Sequence, residues 1–332
     1  MYKSLILFFV SLFYINTYSQ LYVNEIDSDT DSVDELEFVE IKSDSPNFSL
    51  DGYIVVMFNG STNGSDSSYR AIDLNGFQTD LNGLFLIGNN NVSPSAQIII
   101  PNNSIQNGAD AVAIYQASLS DFPNSTLATT TNLVDALVYD TSDSDDDNLM
   151  QLLGLNFQIN ENENGNKDFE SIQRYNNGSY FVGSPTPREV NEGNGVFLNG
   201  INFSFDQDFY SEGDQIQINF TTEEPLQESI TIFLNLEYEN FDSSDYSDVE
   251  NVTIQSGEDA ASVLIEIIDD NIDEGDEDFM LSLDFENENF ILLNNNQIVR
   301  VNDNDFITAN YGTPIDPTYI NVSSSFPENY YS

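Results

Sequence analysis

The 332-residue chain carries 57 acidic side chains against 7 basic ones, a formal charge of −50, and contains no cysteine, histidine or tryptophan. That composition excludes disulfides, thiolate and serine–histidine catalysis and histidine- or cysteine-held zinc, and so negative a surface repels phosphate backbones, so the chain is not expected to bind nucleic acid by itself. Hydrophobic residues at 39% and aromatics at 12% still suffice for packed cores, so this is not a disordered acidic chain, and the length suits about two domains.

The first element in chain order is an address. Lys3 precedes an apolar run from Leu5 to Tyr14, and the small residues Thr17 and Ser19 stand before Gln20. This is the pattern of a secretory signal peptide over residues 1–19, too short for a comfortable membrane span. The mature chain is expected to begin at Gln20, to be secreted or held at the cell surface, and to carry no transmembrane segment. An exported chain without disulfides needs another source of rigidity.

Short β-branched and aromatic runs follow: "LEFVEIK" (36–42), "GYIVVMFN" (52–59), "GLFLIGN" (83–89), "AQIIIP" (96–101), "DAVAIYQ" (110–116) and "LVDALVY" (133–139). Clusters of Gly, Pro, Asn and Ser separate them at the spacing of a sandwich or barrel. A long loop with one helical turn near Leu149–Leu153 comes next, then a hairpin in "ESIQRYNNGSYF" with Asn-Asn-Gly as its turn. "SPTPREVNEGNG" reads as a domain exit. A second strand series runs through "INFSF", "DQIQINFT" (214–221), "SITIFLNLEY" (229–238), "ENVTIQ" (250–255), "ASVLIEII" (261–268), "DFMLSLDF" (278–285) and "NQIVRVND" (296–303). The alternation in "QIQINF" and "VLIEII" is that of half-buried antiparallel strands. The chain is therefore expected to be all-β, with sandwiches over 20–191 and 200–305, a linker at 192–199 and a tail or further domain from 306 to 332. Phe203, Phe205, Phe209 and Phe220 are assigned to the second core rather than to a ligand platform.

One stretch of this second series stands out chemically. "IIDDNIDEGDEDF", residues 267–279, holds seven carboxylates in thirteen residues with no lysine or arginine. Two like charges about 4 Å apart cost roughly 4 kcal/mol at an effective dielectric near 20. Several such pairs oppose folding by an amount comparable with a domain's whole stability, ~5–15 kcal/mol. Raised carboxylate pKa values or bound cations must relieve this, and a flexible set of oxygens is what calcium prefers.

Both strand series resemble known families. "VNEIDSDTDSVDELEFVEI", "NGADAVAIYQ", "LVDALVYDTSDSDDD" and "SIQRYNNGSYFVGSPTPREVN" resemble, in that order, the lamin-tail domain of secreted bacterial proteins. The resemblance implies an immunoglobulin-like sandwich that acts as a non-catalytic interaction module. "SEGD" (211–214), "SDYSD" (244–248), "DDNIDEGDEDF" (269–279) and "VNDND" (301–305) resemble the ordered acidic elements of a Calx-beta domain, also an immunoglobulin-like sandwich. That likeness implies a calcium site whose ligands fall at Glu212, Asp245, Asp269, Asp270, Glu274, Glu277, Asp303 and Asp305, with Ile272 offering a backbone carbonyl. Asn304 departs from the pattern where some members have a third aspartate. Together the likenesses imply two tandem immunoglobulin-like sandwiches, a calcium-binding adhesion module. Its partner would be a protein or an extracellular, cell-surface polymer.

Other acidic clusters are weaker. Asp27, Asp29 and Asp31 alternate as in an EF-hand loop, but Ser32 and Phe38 stand where that loop needs Gly and Glu. "DSDDD" (143–147) with Asp140 could hold a peripheral ion or be a plain solvated loop. For catalysis only a paired-carboxylate hydrolase is open, so no enzyme is expected within these residues. The closing "FPENYYS" is similar to the opening of the catalytic domain of secreted endonuclease I, which implies the alternative that this chain is the accessory front of a longer nuclease.

Overall fold

The computed structural model describes residues 21–60, 64–236, 241, 243–247, 251–272, 275–285, 287, 289–294 and 298–304. The signal-peptide segment, the tail from 306 and the expected ligands Glu274 and Asp305 lie outside the described residues. Among the described residues no helix is long and apolar enough to cross a membrane.

The fold is all-β. Eleven strands and one helix make the first unit: β1 (Leu21–Asp27), β2 (Phe38–Ser43), β3 (Tyr53–Asn59), β4 (Ser67–Asp73), β5 (Leu84–Asn89), β6 (Ile98–Ile100), β7 (Asp110–Gln116), β8 (Leu133–Asp140), α1 (Asp147–Leu153), β9 (Ile159–Asn160), β10 (Ser171–Arg174) and β11 (Tyr180–Gly183). They form two sheets, β11-β10-β1-β2-β5-β6 and β4-β3-β7-β8-β9. The faces meet in a core of Leu21, Val23 and Ile26 with Val39, Ile41, Phe85 and Ile87 against Val55, Met57, Val112, Ile114, Leu137 and Tyr139. Leu21 and Val23 obey the period of two, whereas Ile26 reaches the same core because the β1–β2 register shifts between Val23 and Glu25. An extra residue in one strand is how a bulge re-aims a side chain.

The near-continuous apolar runs in β3 and β7 have a physical cause: their sheet is covered on both faces. On its outer face Ile54, Val56, Phe58, Ala111, Ala113 and Tyr115 pack under Leu149, Met150 and Leu153 of α1. Asp146 caps that helix by accepting from the backbone N–H groups of Asn148 and Leu149, and Gly154 ends it in a left-handed conformation (φ 72°). Asp140 likewise accepts from the N–H groups of Ser142 and Asp143 and from the Gln158 amide. Two acids of the 140–147 cluster therefore serve the local backbone.

The segment read from sequence as a domain exit does more than leave. Thr186 donates through backbone N–H and hydroxyl to the buried Glu25 carboxylate, at 2.8 and 2.7 Å. The Arg188 N–H donates to Glu40 at 2.7 Å. Residues 184–191 are thus strapped to the outer face of β1 and β2.

The second unit holds β12 (Asn199–Phe205), β13 (Phe209–Ser211), β14 (Gln215–Thr222), β15 (Ile230–Leu236), β16 (Asn251–Ile254), β17 (Ala260–Glu266), β18 (Glu277–Asp284), β19 (Phe290–Leu292) and β20 (Ile298–Asn302). Its sheets run β17-β14-β12-β19 and β13-β20-β18-β15-β16. Ile216, Ile218 and Phe220 alternate into the core, where Phe203, Tyr210 and Phe279 join them. Phe205 packs at the core's border. Phe209 is a correction: it stands 62% exposed. On the edge strand β13 adjacent residues face opposite ways. Tyr210 takes the inner place there, its hydroxyl donating to Asp206.

Candidate cation site

One end of the second sandwich gathers the acidic elements that the sequence scatters over about a hundred residues. The turn after β13 is closed by Asp214, whose N–H reaches the Ser211 carbonyl (3.0 Å) and whose carboxylate accepts the Ser211 N–H (2.8 Å). Gly213 takes φ +80° there, and Asp269 lies in ordinary contact distance, its Cβ 3.4 Å from where a side chain at that position would start. Glycine adopts this conformation without the strain another residue would carry.

Residues 244–247 extend the end of β17. Tyr246 bridges Ile267, the Ile268 N–H donates to the Asp245 carbonyl (2.8 Å), and the Ser247 N–H to the Glu266 carbonyl (2.8 Å). This pairing carries Asp245 beside the acidic stretch that follows Ile268. β18 begins at Glu277, opposite Val301 of β20, and β20 runs parallel to β13, so Asn302 lies across from Ser211. Four chain segments therefore end side by side. Below them Phe241 stacks on Tyr246 (centroids 5.6 Å apart, planes at 8°) and packs on Phe279 at 5.4 Å, an apolar floor that holds the loops in place.

Glu212, Asp245, Asp270 and Glu277 line one small cavity of about 10 Å³, with Ser244 beside them and Phe241, Ile267 and Val301 forming its base. That volume is about one water-sized sphere. Two more of the expected acids do not line it. Asp303 accepts the Gly275 N–H at 2.7 Å, which ties the acidic loop to the end of β20. Asp269 is exposed over Gly213. Asp270 also accepts the Ile272 N–H (2.7 Å); the Ile272 side chain is itself 58% exposed. Asn304, the departure from the acidic pattern, donates through its amide to the Glu212 carbonyl at 3.3 Å. Ser244 is a lining residue that sequence reasoning did not single out, although it adjoins Asp245.

The donor set is oxygen throughout, carboxylate and hydroxyl, with no nitrogen or sulfur ligand. That chemistry suits a hard cation such as calcium. Among the described residues no three of these acids already stand together at metal-ligand spacing, and Glu274 and Asp305 lie outside them. The arrangement is one of convergence around a cavity.

The chain matches no protein-family profile and no curated protein. Among solved structures, it is similar to the apo-form Calx CBD1 domain at 19% identity and a TM-score of 0.27, over 32% of this chain and 98% of that one. It is similar to CBD12 from CALX1.2 at 18% identity and a TM-score of 0.27, over 31% of this chain and 46% of that one. It is also similar to Escherichia coli alpha-2-macroglobulin activated by porcine elastase, at 7% identity and a TM-score of 0.22, over 87% of this chain and 22% of that one.

Proposed function

We propose that this chain is an exported, non-catalytic interaction module in which calcium bound at one end of the second sandwich sets the rigidity of that end. The observation that carries the reading is the convergence of Glu212, Asp245, Asp270 and Glu277 on a single cavity from three separate segments. Mutual repulsion of carboxylates so placed opposes folding, and a divalent cation removes it. Glu212, Asp245, Asp269, Asp270, Glu277 and Asp303 would hold the ion with Glu274, Asp305 and the Ile272 carbonyl. The ion supplies charge neutralisation and loop cross-linking, and these acids are thereby occupied with structure rather than chemistry. The first sandwich, with its lamin-tail-like motifs, supplies the surface for an extracellular partner.

The test is thermal unfolding of the full chain in millimolar calcium and in chelator. Binding to the native state alone, at a hundredfold excess over Kd, adds roughly 2.7 kcal/mol. Replacing Asp269 and Asp270 together by Ala should remove most of that gain. Identical melting curves in calcium and chelator would overturn the reading.

A further inference from the structure

A second site lies between the two sandwiches, past the opposite end of β18 from the acidic cluster and sharing no lining residue with it. A cleft of about 480 Å³ opens there, within the range of ordinary small-ligand pockets. One wall is the ring pair Phe77 and Phe85, with centroids 5.3 Å apart; the other is Phe285 and Phe290, at 5.7 Å. The walls are held in register by a hydrogen-bonded joint. Arg188, its side chain 3% exposed, donates to Glu223 at 2.8 Å and to the Leu198 carbonyl at 2.7 Å. Glu223 also accepts the Ser95 N–H of the first sandwich and the Gly200 N–H of the second.

Two buried polar side chains of the first sandwich line this cleft with an atom left over. Gln97 is 7% exposed; its Oε1 accepts the Leu86 N–H at 2.8 Å, which fixes the amide's orientation, and its Nε2 has no partner. Asp80 is 5% exposed; its Oδ1 accepts the N–H groups of Asn82 and Leu84, and its Oδ2 has no partner. A buried donor and a buried acceptor without partners each cost about 1–3 kcal/mol, so a native structure keeps them where something else completes them.

We propose that this cleft binds a neutral carbohydrate, its rings against the phenylalanine faces and its hydroxyls on Gln97 and Asp80. A hydroxyl both donates and accepts, so one kind of group satisfies Gln97 Nε2 and Asp80 Oδ2 alike. A lysine or arginine side chain has donors only; it answers Asp80 and leaves Gln97 unmet. An anionic ligand meets no cation in the lining and approaches a chain of charge −50, which repels it. Sugar rings also present apolar C–H faces, which the partly exposed rings of Phe77, Phe285 and Phe290 can cover, with the buried Phe85 behind them.

The experiment is isothermal titration of the full chain with cellohexaose, xylohexaose, mannohexaose and laminarihexaose, with hexalysine and polygalacturonate as charged comparisons. At least one neutral hexasaccharide should bind at millimolar concentration or below. Gln97→Glu keeps the acceptor for Leu86 and replaces the free donor by an oxygen. Phe290→Leu keeps apolar bulk and removes a ring face. Each substitution should weaken binding at least tenfold in a chain that still melts cooperatively, and either one that folds is sufficient. The proposal is overturned if none of the four sugars binds, if only hexalysine or polygalacturonate does, or if sugar binding survives the substitutions unchanged.

Discussion

The two sandwiches dispose of their carboxylates in opposite ways. In the first, most of the buried acids are met by donors of the same fold, although Asp27 lies among Glu161, Glu25 and Glu37 and keeps an oxygen without a partner. Glu37 accepts the N–H groups of Ser104 and Ile105 and the Asn89 amide. Asp110 accepts those of Gly60 and Gly108, and Glu161 takes both the N–H and the hydroxyl of Ser28. Burial pushes these carboxyls upward, Glu37 to about 7, Glu161 to about 8, Asp80 and Asp110 to about 6. In the second, four acids are left partly exposed around one cavity. With few basic residues available, a fold can neutralise carboxylates by its own backbone dipoles and by protons, or it can collect them for a cation. The first solution needs turns that present free N–H groups; the second needs several strand ends at one place.

Glu223 is the exception that links the two, an acid of the second unit handled as in the first. Arg188→Ala removes its guanidinium partner from a mostly buried site and should cost about 3 kcal/mol. It should also split a single calorimetric transition into two, because the joint between the units loosens. A single unshifted transition would show that the units are coupled elsewhere. Slightly smaller is the effect expected at Glu40, which is fully buried and accepts from the Arg188 N–H and the Asn24 amide, at 2.7 Å each. Glu40→Ala strands both donors and should lower the unfolding free energy by about 2 kcal/mol in denaturant titrations. Burial holds this carboxyl well above its usual range, so Glu40→Gln, which resembles the protonated acid, should cost less than half as much.

A pH series sharpens the contrast further. In the first sandwich Glu37, Glu161, Asp80 and Asp110 bind protons in the folded state that they release when unfolded. Their contribution is therefore fully present below the unfolded values near 4 and is lost as pH rises through about 6 to 8. Its melting temperature should fall by roughly 5 °C or more between pH 5 and pH 8. In calcium the second sandwich should show no such fall, because cation-held carboxylates lose stability toward acid. Followed in the Arg188→Ala chain, where the units should melt separately, parallel pH profiles for the two transitions would dissolve the comparison. The smallest effect is expected at Arg300, whose exposed guanidinium pairs with Asp278 at 2.9 Å across the β18–β20 ladder. Exposed pairs of this kind contribute little, so Arg300→Ala should leave the melting curve within error.

Much of this architecture is written locally. The runs at 52–59, 83–89 and 110–116 became β3, β5 and β7 within a residue of their read bounds, because a β-branched run flanked by turn formers has few alternatives. The helical turn read near Leu149–Leu153 became α1, which starts two residues earlier at Asp147. The strand β4 was not: "SSYRAID" is polar and half-buried on a sheet edge, and its only strong signal is the partner β3, which sequence does not show. Phe209 failed for a related reason, since a three-residue edge strand cannot declare which of two adjacent aromatics turns inward.

The composition and order of the acidic elements were properties of the sequence alone. That Glu212, Asp245, Asp270 and Glu277 share one cavity was decided by strand pairing, since β13 meets β20 and β18 meets β20 only once the sheet forms. That the first sandwich buries acids was not legible in the sequence, even where Asp27, Asp29 and Asp140 drew attention as possible cation ligands. An alternating Glu in "EFVEIK" looks solvent-facing until residues 184–191 cross over it and supply the donors. The cleft with Gln97 and Asp80 has its walls on two units about two hundred residues apart. Periodicity reports which face of a strand is apolar, whereas long-range pairing and docking decide what that face meets.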